Sequence, residues 1–243
     1  NYLVSVKAIL LDFGDTLIQT DNFDYDTCLK KAHESLTTDK ISTQYEELKK
    51  VYFNIRNRLY METENSLREP KFCQRITETL KHFGYSLKPE DAVIVRSADA
   101  FGDAFIHMMQ MDPYVPKLLQ QLKNEGKCKI GLVSNFAHPP ALKRTLERFD
   151  IAKYFDALTI SGEVGWRKPS PKIFRKALQA LDVKPSETVF IGDSPHHDIE
   201  GAKSTGMKTI LVKRASINEN EEIGNPNRRI SELKELPKVL SEL

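Results

Sequence analysis

Residues 6–17 read Val-Lys-Ala-Ile-Leu-Leu-Asp-Phe-Gly-Asp-Thr-Leu. The apolar run through Ala8, Ile9, Leu10 and Leu11 is too short for a helix and has the content of a strand buried on both faces. Asp12 and Asp15 come directly after it, with Gly14 between them. A carboxylate at the end of a buried strand is costly unless a partner or a reaction uses it. The stretch therefore predicts two things together: a buried strand, and a site at its carboxyl end.

Similar runs recur at residues 130–133, 189–191 and 209–212. Helical segments lie between them, and two carry start signals: Ser170-Pro171 and Ser194-Pro195 each put a serine N-cap before a proline at the first helical position. Strands alternating with helices predict an α/β fold with a parallel sheet covered on both faces. At the end of the chain, Leu233, Leu236, Leu240 and Leu243 form one helix face that Pro237 breaks or restarts. Residues 17 to about 110 differ. They show no comparable strand-like run, while Leu48, Val51, Tyr52, Ile55 and Leu59, then Phe72, Ile76, Leu80 and Phe83, recur at helical spacing. This span reads as a helical insertion after the first strand. Residues 213–229 read as a polar loop.

Ligands of open parallel sheets bind at the carboxyl ends of the strands. The residues just beyond each strand are thus informative. Asp12, Gly14 and Asp15 stand after the first, and Ser134-Asn135 after the second; Lys168-Pro169 stands before the helix opened by Ser170; Asp193 and Asp198 come after the strand ending at Ile191. Grouped carboxylates suit a hard divalent cation such as Mg²⁺, and the lysine and hydroxyl are left to hold an anion.

With these four stretches in this order, the chain resembles the haloacid dehalogenase superfamily of hydrolases, in its phosphatase-like branch. The flanking Ser161-Gly162-Glu163 and Ile199-Glu200-Gly201-Ala202 agree. The resemblance implies a Rossmann-like core over residues 1–16 and 111–243, with a helical cap at 17–110. It also implies roles: Asp12 as nucleophile forming an aspartyl-phosphate, and Lys168 beside it offsetting like-charge repulsion. Ser134 and the Asn135 backbone N–H would bind the phosphoryl group, and Asp12, the Gly14 carbonyl, Asp193 and Asp198 would hold Mg²⁺. One position departs from the pattern. Family phosphatases carry a second Asp two residues after the nucleophile, as general acid and base; here that position is Gly14. Asp15, one place later, reads as a turn-capping residue. His138, His196 and His197 read as ordinary capping or solvated residues.

Lys+Arg 36 against Asp+Glu 34 leaves a formal charge of +2, which gives no electrostatic reason to expect nucleic acid or an anionic membrane as partner. No apolar stretch approaches the roughly 18 residues of a membrane span. Cys28, Cys73 and Cys128 lack a paired or Cys-x-x-Cys arrangement, and so read as reduced thiols of a cytoplasmic protein. The expectation is a Mg²⁺-dependent hydrolase of small phosphorylated metabolites, with oligomeric state and substrate undetermined by sequence. Three alternatives stand beside it: a phosphonate-cleaving enzyme, a haloacid-type enzyme that uses no metal, and a weakly catalytic phospho-ligand-binding protein.

Overall fold

The computed structural model describes residues 6–124, 128–213 and 224–243. Its centre is a six-stranded, all-parallel sheet built from β1 (Ala8–Leu11), β4 (Lys129–Ser134), β5 (Ala157–Ile160), β6 (Thr188–Gly192), β7 (Lys208–Val212) and β8 (Arg228–Ile230), in the order β5-β4-β1-β6-β7-β8. Every residue of β1 is buried, and its register sets Leu11 beside Leu132 on one side and Ile191 on the other. Side chains alternate along it. Ile9 and Leu11 belong to one apolar layer, while Ala8 and Leu10 join Val133, Phe174 and Phe190 in the opposite layer. A strand packed on both faces needs the continuous apolar run seen in its sequence.

Four helices lie between β2 (Ile18–Gln19) and β3 (Gln110–Met111): α1 (Tyr25–Thr38), α2 (Tyr45–Glu62), α3 (Phe72–His82) and α4 (Ala92–Met108). The periodic residues singled out in sequence fall on α2 and α3. Asp24 caps α1, accepting from the N–H groups of Asp26 and Thr27. The helices α1 and α4 pack together, with the Ser97 hydroxyl donating to Ala32 O at 3.0 Å. The remaining helices are α5 (Val115–Asn124), α6 (Pro139–Arg148), α7 (Ser161–Val164), α8 (Pro171–Leu181), α9 (Gly201–Lys203) and α10 (Leu236–Ser241).

Three sequence expectations need correction. The span 17–110 does contain strand: β2 pairs antiparallel with β3, Ile18 opposite Met111 and Gln19 opposite Gln110. The strand β5 is a further member of the sheet. The polar loop expected over 213–229 gives way to β8 at Arg228; residues 214–223 of that loop lie outside the described residues. The break or restart expected at Pro237 is present: a 3₁₀ turn spans Leu233–Glu235 and α10 starts at Leu236, where Pro237 occupies the first turn and needs no N–H partner.

Candidate active site

Asp12 leaves the central strand and stays tied to it, its N–H donating to Ile191 O at 2.9 Å. The next turn is set by Asp15, which takes a left-handed conformation (φ 55°) and donates its N–H to Ile18 O at 2.7 Å. Its carboxylate turns back onto Thr20, accepting from the N–H at 3.1 Å and the hydroxyl at 2.7 Å. Asp tolerates this conformation because its short side chain bonds locally. Gly14 is not in the left-handed region. A Cβ added there would meet Thr20 Cγ2 at 3.7 Å, an ordinary contact.

At the head of the adjacent strand stands Ser134, 3% exposed, followed by Asn135. The Asn135 side chain accepts from Lys168 N at 2.6 Å and donates to Lys168 O at 3.0 Å, so it clamps the lysine's backbone. Lys168 is buried, and its ammonium uses all three protons: on Asp12 Oδ1 at 2.5 Å, Asp198 Oδ1 at 2.6 Å and Val133 O at 3.1 Å. On the other side of β1, Ser194 caps the π-helical turn Pro195–Glu200 that carries Asp198. Asp198 Oδ2 accepts from Ser194 N at 3.0 Å. Gly192 makes room for this carboxylate, since a Cβ at that position would overlap the same oxygen. Thr16 bridges the two halves of the site, its hydroxyl 3.4 Å from both Asp12 Oδ2 and Asp193 Oδ1.

Asp12, Asp193 and Asp198 each offer an oxygen within 4.8 Å of the other two. Asp12 and Asp198 share the one ammonium, and Asp12 and Asp193 are both raised in pKa. Burial pushes Asp12 up to about 7 against the pull of Lys168, with Asp198 and Asp193 adding to the rise. Burial, then Asp198 and Asp15, push Asp193 to about 6. For Lys168 burial alone would lower the pKa, but Asp12 and Asp198 outweigh it and hold the ammonium charged. A cluster of hard oxygen donors with surplus negative charge fits a divalent cation of the Mg²⁺ kind, whose charge would draw the carboxylates back to their ionised form.

The seven residues singled out from sequence (Asp12, Gly14, Ser134, Asn135, Lys168, Asp193 and Asp198) all line one cleft of about 410 Å³ at the carboxyl edge of the sheet. The same cleft is walled by residues the sequence reading passed over: Phe13, Phe23, Phe105 and Phe136. Phe136, directly after Ser134-Asn135, was open to notice by position. Phe23 and Phe105 had no signal, because an apolar residue in a helical stretch looks the same whether it faces a core or a cleft. His197 also lines the cleft, hydrogen-bonded to Ser194 Oγ at 3.1 Å and lowered in pKa by burial. His138 sits apart, facing Asp99 of α4 at 3.2 Å, and His196 is exposed against Glu200.

The helical span meets the core beside Lys168. Arg167 N donates to Leu67 O at 2.9 Å, Glu69 N to Gly165 O at 3.1 Å, and Phe72 N to Ala137 O at 3.1 Å. Inside this seam lies a buried ion pair, Glu69 with Arg75 at 3.1 Å, to which Tyr60 OH (3.0 Å) and Ser161 Oγ (2.8 Å) donate on the Glu69 side.

Comparison with known proteins agrees with this geometry. A family model for haloacid dehalogenase-like hydrolases matches residues 6–206. The glyceraldehyde 3-phosphate phosphatase of Methanopyrus kandleri is 28% identical over 246 residues, 98% of either chain. Among solved structures, the 2-haloacid dehalogenase of Pseudomonas syringae pv. Tomato superposes with a TM-score of 0.70 at 25% identity, covering 98% of this chain and 99% of that one. A phosphatase from Thermococcus onnurineus gives a TM-score of 0.65 at 23% identity, over 96% and 97% of the two chains.

Proposed function

Since this chain belongs to the haloacid dehalogenase-like hydrolases, we propose that it hydrolyses small phosphate monoesters through an aspartyl-phosphate on Asp12, with Mg²⁺ held by Asp12, Asp193, Asp198 and the Gly14 carbonyl. The observation that carries this reading is the arrangement around Asp12: one oxygen on a buried ammonium at 2.5 Å, and the carboxylate within ligand range of two further acids. The phosphatase names of relatives such as that of Methanopyrus kandleri support the substrate class.

Asp12 attacks phosphorus, the ester oxygen leaves as the alcohol, and water then cleaves the acyl phosphate to return Asp12 and inorganic phosphate. An anionic carboxylate meeting a phosphate dianion is opposed by like charge, and Lys168 offsets part of that repulsion from a position fixed by Asn135. When bound, the divalent cation supplies further charge neutralisation at the phosphoryl oxygens. Ser134 Oγ and the Asn135 N–H would hold those oxygens, since both residues line the cleft. Gly14 brings no carboxyl group, so the leaving oxygen receives its proton from outside the motif. We assign residues 17–110 as a cap over a core made of 1–16 and 111–243, supported by the four helices and by the single short ribbon that joins them to the sheet.

The test is phosphate release from a panel of monoesters with Mg²⁺, with chelator, and in D12N and D193N. Activity that needs the metal and is lost in both variants supports the reading. Undiminished turnover in chelator would overturn it in favour of a metal-free, haloacid-type reaction.

A further inference from the structure

The cleft is lopsided. Its acids, lysine and serine gather at the strand ends, while most of its apolar lining comes from the rings of Phe13, Phe23, Phe105 and Phe136. Phe13 touches Phe136 edge-on (centroids 6.2 Å), Phe136 meets Phe105 at 4.9 Å, Phe105 meets Phe23 at 5.4 Å, and Phe23 meets Tyr25 at 5.7 Å. Beside these rings lies a recess of about 160 Å³, and it shares Phe23, Phe105, Asn135 and Phe136 with the cleft. A phosphoryl group seated at Asp12 would send the rest of its ester against these rings.

The polar side chains at the recess are already engaged with the protein. Both side-chain ends of Asn135 bind the Lys168 backbone. Arg75 donates to Pro70 O at 2.8 Å, to Tyr60 OH at 2.6 Å and to Glu69 at 3.1 Å. Tyr25 OH lies 2.5 Å from Tyr52 OH, and His138 Nε2 lies 3.2 Å from Asp99. A sugar or glycerol chain placed in this recess would set most of its hydroxyls against ring faces, beside side chains that already bond the protein; each stranded hydroxyl weakens binding by about tenfold or more. An aryl or aralkyl group gains contact instead, with edge-to-face geometry available on several sides.

Resting on the phosphatase reading above, we infer that the substrate is a phosphate monoester of an apolar, preferably aromatic, alcohol, and that Phe23, Phe105 and Phe136 select it against polyhydroxy esters. The P–O bond to the alcohol breaks; water supplies the oxygen that ends on phosphate and the proton that ends on the alcohol.

The experiment separates this inference from the reaction itself. With Mg²⁺ present, kcat/KM is compared for 2-phenylethyl phosphate, glycerol 1-phosphate and glyceraldehyde 3-phosphate. All three leave as primary alkoxides, so leaving-group acidity does not decide the ranking. The aralkyl ester is expected to be favoured by at least about tenfold (about 1.4 kcal/mol), chiefly through KM. Calorimetry with the inert 2-phenylethylphosphonate and 2,3-dihydroxypropylphosphonate should give the same order. F23S, at a half-buried position, should shrink the ratio toward one. Equal or better use of the glycerol-type esters would overturn the inference and leave the phosphatase reading standing, and so would a ratio unmoved in folded F23S. If no ester is hydrolysed but the aralkyl phosphonate still binds at least about tenfold more tightly, the phosphatase reading fails and the apolar selection holds.

Discussion

The resemblance read from the sequence implies a second Asp at the position that Gly14 holds, and the local backbone leaves room for one. The conformation is open to any side chain, and the nearest obstacle to a Cβ is a methyl group at 3.7 Å. Asp15 does not replace it, because its carboxylate is committed to Thr20 across the turn. A general acid contributes about 10²–10⁴-fold to such reactions, and most where the leaving group is a basic alkoxide. G14D is therefore expected to raise kcat on alkyl phosphates by up to about 10²-fold while changing p-nitrophenyl phosphate little, since a stabilised phenolate departs without protonation. Equal gains on both, or none on either, measured by steady-state phosphate release, would show that the proton comes from elsewhere in the site.

At the scale of elements, the seam between the helical span and the core encloses one buried ion pair. Glu69 and Arg75 have side chains only 2% and 4% exposed, and Glu69 also accepts from Tyr60 and Ser161, which come from α2 and α7. Removing one partner of such a pair leaves the other charged and buried, at about 3–5 kcal/mol. E69A should therefore unfold at visibly lower denaturant or temperature, and E69Q, which retains acceptor and shape, should lose less; thermal melts followed by circular dichroism check both. The pair was not legible in the sequence, because a Glu and an Arg six apart across a turn look like any solvated charges. The strands tell a similar story. Those flanked on both sides, β1, β4, β6 and β7, announced themselves by unbroken apolar runs. The two that were missed, β5 and β8, are the sheet's edges. An edge strand is covered less and carries polar residues, here half-exposed Ala157 and Leu158 and the exposed Arg228 and Arg229. The strand-end acids, serine and lysine were legible because parallel strands deliver the residues beyond their carboxyl ends to one edge; Phe13 and Phe136 share that placement, whereas Phe23 and Phe105 lie far apart in the chain with no shared spacing.

At the scale of the whole molecule, one apolar cluster runs without a break from Ile9 and Leu11 of the sheet through Phe105 and Phe101 to Tyr52 and Leu80 of the helical span. The two parts therefore share stability, and the charged site between them is coupled to it. The acidities set the sign. With Asp12 at about 7 and Asp193 at about 6, against 3.8 for an ordinary Asp, the metal-free folded protein holds protons that the unfolded chain has already shed. Across that window the two groups lower stability as pH rises, and acidification restores it. A cation must displace those protons, so the rise in melting temperature on adding Mg²⁺ should be small at pH 5 and grow toward pH 7.5. A magnesium-induced shift independent of pH, in scans with and without chelator, would mean that the acids are already ionised. The ribbon of β2 and β3 has a different consequence. Gln19 and Gln110, which bracket the four helices, lie directly opposite in register, so they stand only about 5 Å apart. A gene segment cut at these positions begins and ends almost at one spot, as exchangeable inserts do. Related chains could trade this segment as a cassette by recombination, each keeping its own sheet. Outright loss is another matter, because it would bare Phe136 and the apolar floor beneath it. A chain cut back to these two points is thus expected to keep its sheet's ends together yet lose the apolar cover of its site.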